Sequence, residues 1–173
     1  MEIRKATLRD LDRVAVLYDE VNEYLESHMN YPGWKKGIYP VREDAERGLK
    51  EGELFLAEEG GQIAGSVILS HRPEAGYAQA DWHVELDDAD VFVVYTLAVH
   101  PRFQNQGIGR KIIEFIFEYA AERNQKAVRL DVYEKNIPAI HLYEKMGFQY
   151  ITAADLGYGA YGLDRFLLYQ RLL

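Results

Sequence analysis

At 173 residues and 48% hydrophobic side chains, the chain has the length and apolar content of one globular domain, residues 1–173, around one core. It contains no cysteine, which excludes disulfides, thiolate metal sites and an acyl-cysteine intermediate, and its net charge of −8 argues against non-specific nucleic-acid binding. MEIRKATLRD has no apolar leader, no span of about eighteen apolar residues occurs and the five histidines lack HExxH-like spacing, so a cytoplasmic protein with no membrane segment and no bound metal is expected.

Residues 2–6 read as a first strand, and Thr7-Leu8-Arg9-Asp10 as a capping box opening a helix with Leu11, Val14, Ala15, Tyr18, Val21 and Leu25 at helical spacing. The following segment, SHMNYPGWKKGIYP, is a loop rich in aromatic residues, and residues 41–51 form a second, charged helix ending at Gly52. ELFLAEE and QIAGSVILSH are two strands turned at Gly60-Gly61. Gly65-Ser66 lacks the flanks of a GxSxG nucleophile elbow, so serine-hydrolase chemistry has no support. RPEAGYAQADWHVELDDAD reads as an extended polar loop whose charges are mostly solvated. A buried strand from Val91 to Val99 follows and stops at Pro101; after a long helix come the strand KAVRLDVYEKN, a helix capped by Asn136 and ended by Gly147, and two last strands joined by a glycine-tyrosine loop. The order βααβββαβαββ predicts an α+β fold: a mixed, mostly antiparallel central sheet flanked by helices, with one parallel pair joined through the long helix.

The stretch DVFVVYTLAVHPRFQNQGIGRKIIEFIFEYAAER is where a ligand is expected. Gly107 and Gly109 precede or open a helix whose apolar residues Ile108, Ile112, Phe115, Ile116 and Tyr119 keep one face on a sheet. Free N–H groups and the positive end of the macrodipole make such a terminus a phosphate site. Arg110 and Lys111 in the first turn oppose the macrodipole unless an anion docks there. The stretch lacks the GxxxxGK of a Walker A loop. A dinucleotide fingerprint also fails, with Ile112 in place of the third glycine, although Asp131 stands where a ribose-binding acid would.

Gln104-x-x-Gly107-x-Gly109, after the LAVHP strand end and before an amphipathic helix, resembles motif A of the GNAT family of N-acetyltransferases, and NIPAIHLYEKMGF resembles its motif B. The resemblance covers most of the chain and is most specific from Leu97 to Phe148. It implies splayed parallel strands ending at Val99 and Val132 that admit acetyl-CoA as cosubstrate. Pantetheine would pair with Leu97, Ala98 and Val99; the pyrophosphate would meet Gln104, Asn105, Gln106, Gly107, Ile108, Gly109 and Arg110; Asn136 matches a coenzyme contact. Tyr143 matches the frequent general acid that protonates the leaving sulfur, and no general base is identified. The loop between the first two helices often borders the acceptor in this family, which makes Tyr31 and Trp34 candidate substrate contacts, while His83 and Glu85 are candidates from the acidic loop.

The implied activity is direct acetyl transfer to a primary amine, on a small molecule or on a peptide or protein. A non-catalytic acyl-CoA-binding or interaction module is the alternative, and a dinucleotide-binding oxidoreductase a weaker third. Ile113, Phe117 and Ala120 make the long helix apolar on a second side, which either a homodimer or a fully covered helix within one domain would explain.

Overall fold

The computed structural model describes residues 1–173. Its elements follow the predicted order: β1 (Glu2–Lys5), α1 (Leu11–Ser27), α2 (Arg42–Glu51), β2 (Glu53–Glu59), β3 (Gln62–Ser70), β4 (Val91–Val99), α3 (Ile108–Glu122), β5 (Ala127–Tyr133), α4 (Ile137–Lys145), β6 (Gln149–Ala154) and β7 (Phe166–Leu172). The strands form one sheet in the order β1-β2-β3-β4-β5-β7-β6. The pairs β1–β2, β2–β3, β5–β7 and β7–β6 are antiparallel, and β4 runs parallel to β5. This is a mixed α+β fold with a mostly antiparallel sheet flanked by helices. The chain divides into two compact units: Met1–Asn30, Trp34–Ser70 and Tyr95–Ile116 make the first, Tyr31–Gly33, His71–Val94 and Phe117–Leu173 the second.

In the first unit, Thr7 and Asp10 form the expected capping box, but it opens a 3-10 turn, Leu8–Asp10, that leads into α1. Asp10 is nearly buried, and Arg4 donates to it at 2.8 Å while also bridging to Glu58 at 2.8 Å. The guanidinium hydrogen bond holds the Asp10 carboxyl well below the usual carboxylate range. Helix α1 buries Leu11, Val14, Leu17, Tyr18, Val21 and Leu25 in a cluster shared with Leu54, Leu56, Ile63, Ile68 and Ala98. Burial of each such aliphatic side chain stabilises the fold by about 1.5–3 kcal/mol. The β2–β3 hairpin turns through Gly60 and Gly61, both at positive φ, as two-residue hairpin turns demand.

Gly65 on β3 is required by proximity. A Cβ there would lie 2.8 Å from the Ala98 carbonyl oxygen and 3.0 Å from Ile112 Cδ1. The adjacent Ala64 carbonyl accepts from His100 N–H at 2.9 Å, so β3 holds the far end of β4 against the start of α3.

In the second unit, β7 lies between β5 and β6 and pairs with both. The parallel register with β4 runs from Val91↔Ala127 to Val94↔Leu130 and ends there. The segment from Arg72 to Asp90, predicted as an extended loop, contains two 3-10 turns, Ala75–Gln79 and Asp88–Asp90, and buries Tyr77 and Trp82. Two large rings in a charged stretch find apolar cover and fold the segment back on itself, which a reading of its charges does not reveal. The second apolar side of α3 is covered within the chain: Ala120 is fully buried, and Phe117 packs beside Phe148 at 5.5 Å with the Arg171 guanidinium 4.4 Å above its ring. In the first unit Ile113 is equally buried.

Gly65→Ala should destabilise the protein by about 1–3 kcal/mol, because the obstructing atom is a backbone oxygen that can only yield with its strand. Urea unfolding checks this, and an unchanged midpoint would show that β3 and β4 are free to separate.

Candidate active site

The glycine loop is set by what precedes it. His100 caps the 3-10 turn Pro101–Phe103, its Nδ1 accepting from Arg102 N–H at 3.1 Å while its Nε2 lies 2.7 Å from Glu20 Oε2. The chain then turns through Asn105 at φ +60° and Gly107 at φ +76°, left-handed positions that favour these two residue types. The first bond of α3 runs from Lys111 N–H to the Gly107 carbonyl at 3.0 Å. The N–H groups of Ile108, Gly109 and Arg110 are therefore the free donors of the helix start. Gln104, Asn105, Gln106 and Gly107 are exposed, and a Cβ at Gly107 would meet nothing within 4 Å. Three free donors and the positive end of a fifteen-residue helix, next to an uncrowded glycine, suit a phosphate.

Two expectations about this region change. The Arg110 guanidinium donates to Glu114 at 2.8 Å, so its placement against the macrodipole is offset by an i,i+4 partner and needs no anion to explain it. Asn136 occupies the N-cap position of α4, but with φ −81° and ψ 66° its side chain makes no capping bond. Its amide is not committed to the helix end.

Upstream of the loop, Leu97 and Val99 are half-buried and Ala98 is buried. One residue earlier, Thr96 sits at φ +48°, an uncommon conformation for a β-branched residue within a strand. Its Oγ1 lies 2.5 Å from the Tyr39 hydroxyl, and Tyr39 in turn stands edge-on to Trp34 at 5.7 Å. Asn22 Nδ2 donates to the carbonyls of Tyr39 and Pro40 at 3.3 Å each. Trp34 is thus packed against the first unit's core, in the stapling role open to a loop aromatic. Tyr31 is 40% exposed.

The second unit holds buried titratable groups of its own. Asp131 on β5 accepts a 2.6 Å hydrogen bond from the Tyr77 hydroxyl. Burial pushes its carboxyl up to about 6 against the lowering effect of that bond, with the Glu74 charge adding to the rise. Tyr143 on α4 is buried, edge-on to Phe148 at 5.8 Å, and burial together with the Asp131 charge raises its phenol above the ordinary value. Burial thus pushes the carboxyl toward neutrality and holds the phenol protonated, two shifts of the kind that cluster at functional sites. His83 and Glu85 are exposed and line one open cavity of about 900 Å³ with Trp82 and Arg129, of which Arg129 stands two residues before Asp131 on β5.

Residues 15–148 match the model of the acetyltransferase (GNAT) family. The chain belongs to the GNAT family. It is 31% identical over 149 residues to an uncharacterized N-acetyltransferase of Archaeoglobus fulgidus, covering 83% of this chain and 89% of that one. It is 26% identical over 154 residues to an uncharacterized N-acetyltransferase of Methanocaldococcus jannaschii, covering 85% of this chain but spanning only 62% of that relative's length. Its fold matches the crystal structure of a GNAT family acetyltransferase from Streptococcus agalactiae with a TM-score of 0.80 at 20% identity, over 99% of this chain and 95% of the other.

In this GNAT chain no motif or spacing marks Tyr39, Thr96, Tyr77 or Arg129 as site residues, and spacing marks Asp131 only as a ribose-binding acid. The available signal was KAVRLDVYEKN: an arginine and an aspartate two residues apart inside an otherwise apolar strand.

Tyr77→Phe should raise the Asp131 pKa above about 6, since the lost hydrogen bond favours the charged carboxylate. Infrared titration of the protonated carboxyl band, with Asp131→Asn as blank, reads this directly; an unmoved midpoint would mean the phenol does not hold the carboxylate in solution.

Proposed function

We propose that the protein transfers the acetyl group of acetyl-CoA directly to the nitrogen of a primary amine. Membership of the GNAT family supports the use of acetyl-CoA. The single observation that carries the reading in this chain is the loop from Gln104 to Gly107, which stands before three free N–H groups at the start of α3. The pyrophosphate takes those donors, with Gln104, Asn105 and Gln106 around it, and Asn136 contributes its amide to the coenzyme. The pantetheine arm pairs with the backbone of Leu97, Ala98 and Val99 as an added strand.

The chemistry follows from the charge that each step creates. The amine nitrogen attacks the thioester carbonyl and becomes a strong acid as its lone pair is committed. Asp131, directly or through water, takes the proton released there, and its raised pKa makes it a usable base near neutrality. Backbone N–H near Leu97 or Ala98 stabilises the oxyanion. As the tetrahedral intermediate collapses, the C–S bond breaks and the thiolate leaves. Tyr143 donates a hydrogen bond to that sulfur and then its proton; because its phenol is harder to ionise than a thiol, the bond forms first and complete transfer needs a developed negative charge.

The reading predicts that acetyl-CoA binds the wild type in a calorimeter and that Gly109→Glu, if folded, abolishes binding by placing a carboxylate among the phosphate donors. Tyr143→Phe should lower kcat roughly ten- to a thousandfold with little change in acetyl-CoA affinity. No acetyl-CoA binding by the wild type would end the proposal; binding without thiol release across an amine panel would favour the acyl-CoA-binding module.

The pH profile gives an independent test. The base must be ionised, so kcat/KM should show a limb that rises with pH through about 6, separate from the further rise at higher pH as the amine loses its own proton. Asp131→Asn should remove that limb and lower kcat by roughly a hundred- to ten-thousandfold. A limb that survives the substitution would assign the proton to another group.

A further inference from the structure

Arg129 is the buried charge that acetyl transfer leaves unexplained. It is 7% exposed, and its hydrogen bond is to a neutral group, Nε donating to Gln170 Oε1 at 2.9 Å. Gln170 is itself 5% exposed and is fixed by donating to the Trp82 carbonyl at 3.0 Å, while the guanidinium lies 4.1 Å over the Trp82 ring. Burial works against its charge, and the Asp88 carboxylate compensates only from a distance. A buried guanidinium is ordinarily matched by a carboxylate or phosphate with complementary fork geometry. Here the arginine instead lines the cavity of about 900 Å³.

The cavity's rim has the opposite sign, since Asp81, Glu85, Asp87 and Asp90 all line it. A multiply charged anion approaching Arg129 would pass four carboxylates; a molecule with one negative and one positive group would satisfy both layers. The base shares this setting. Asp131 lies two residues along β5 from Arg129, on the same face and roughly 7 Å away along the strand. One segment serves both groups: Tyr77 bonds to Asp131, Trp82 stacks on Arg129, the two rings are 5.3 Å apart, and Trp82 Nε1 donates to the Tyr77 carbonyl at 3.0 Å.

We propose that this cavity is an acceptor subsite in which Arg129 receives the carboxylate of a zwitterionic amine, an amino acid or short peptide, whose reacting nitrogen lies at Asp131. The proposal rests on the acetyltransferase reading and narrows its substrate to amines carrying a carboxylate roughly 7 Å from the nitrogen. An extended dipeptide or the side-chain amine of lysine has that span. Gln170 and Trp82 are positioning residues that hold the guanidinium in place.

The test is calorimetric titration of the full chain, with acetyl-CoA present, by two matched pairs: alanylalanine against its C-terminal amide, and L-lysine against lysinamide. Free-thiol release is followed on the same samples, and inorganic phosphate serves as an anion without an amine. The carboxylates should bind about tenfold or more tightly than the amides, the size of one charge-assisted hydrogen bond. That ratio should fall toward one in Arg129→Gln and Arg129→Met, with melting curves reporting their folding. Should both unfold, Arg129→Lys keeps the charge and loses the fork, and should show a reduced ratio. Equal binding within each pair, no binding by any of the four, a ratio that survives the substitutions, or phosphate binding as tightly as the carboxylates would each overturn the subsite. A carboxylate preference without thiol release would keep the subsite and remove acetyl transfer; thiol release from the amides as fast as from the acids would do the reverse.

Discussion

A strand buried along most of its length cannot change direction without cost, and β4 does so at Thr96. A β-branched residue in the left-handed region costs about 1–3 kcal/mol, so the surrounding chain must hold it there. Tyr39 does this through its hydroxyl, Trp34 braces Tyr39, and Asn22 fixes the backbone on which Tyr39 is carried. The strain falls between two functions of one strand: Val91–Val94 are in parallel register with β5, and Leu97–Val99 are the residues proposed to receive the pantetheine arm. An aromatic loop remote in sequence from the glycine turn thus helps to define the strand that leads into it.

In the second unit the corresponding cost is electrostatic. Successive β5 residues point to opposite faces: Val128, Leu130 and Val132 are buried apolar side chains, while Arg129 and Asp131 place two ionisable groups on the other face. Neither group is neutralised by a partner of opposite charge at contact distance. Tyr77 and Trp82 give one neutral contact each, enough to orient the groups without quenching them. The carboxylate is left easier to protonate, and the guanidinium is left with capacity for an anion.

The sequence was most legible where local chemistry and burial agree. The bounds of β4, the hairpin turn at Gly60-Gly61 and the glycine start of α3 follow from alternation, positive φ and free N–H groups, all properties of a few adjacent residues. It was least legible where distant residues set the outcome. The segment from Arg72 to Asp90 looks solvated because its charges outnumber its rings, yet the rings decide its path. Asn136 has the composition of a cap and not its geometry, and Arg110, by sequence a cation opposed to the macrodipole, pairs with Glu114 one turn on. Asp131 illustrates the limit best: the burial that raises its carboxyl and the opposing hydrogen bond from the Tyr77 hydroxyl, 54 positions away in sequence, are both set by distant residues.

The position of β7 has a consequence for synthesis. It lies between β5 and β6, so both strands are made before the one that joins them. Until Phe166–Leu172 have left the ribosome, β5 lacks its antiparallel neighbour and β6 lacks any, leaving rows of unpaired amides on an apolar nascent chain. The first unit ends at Ile116 and suffers no such delay. The strand pairing of the second unit is therefore completed only by the last strand made.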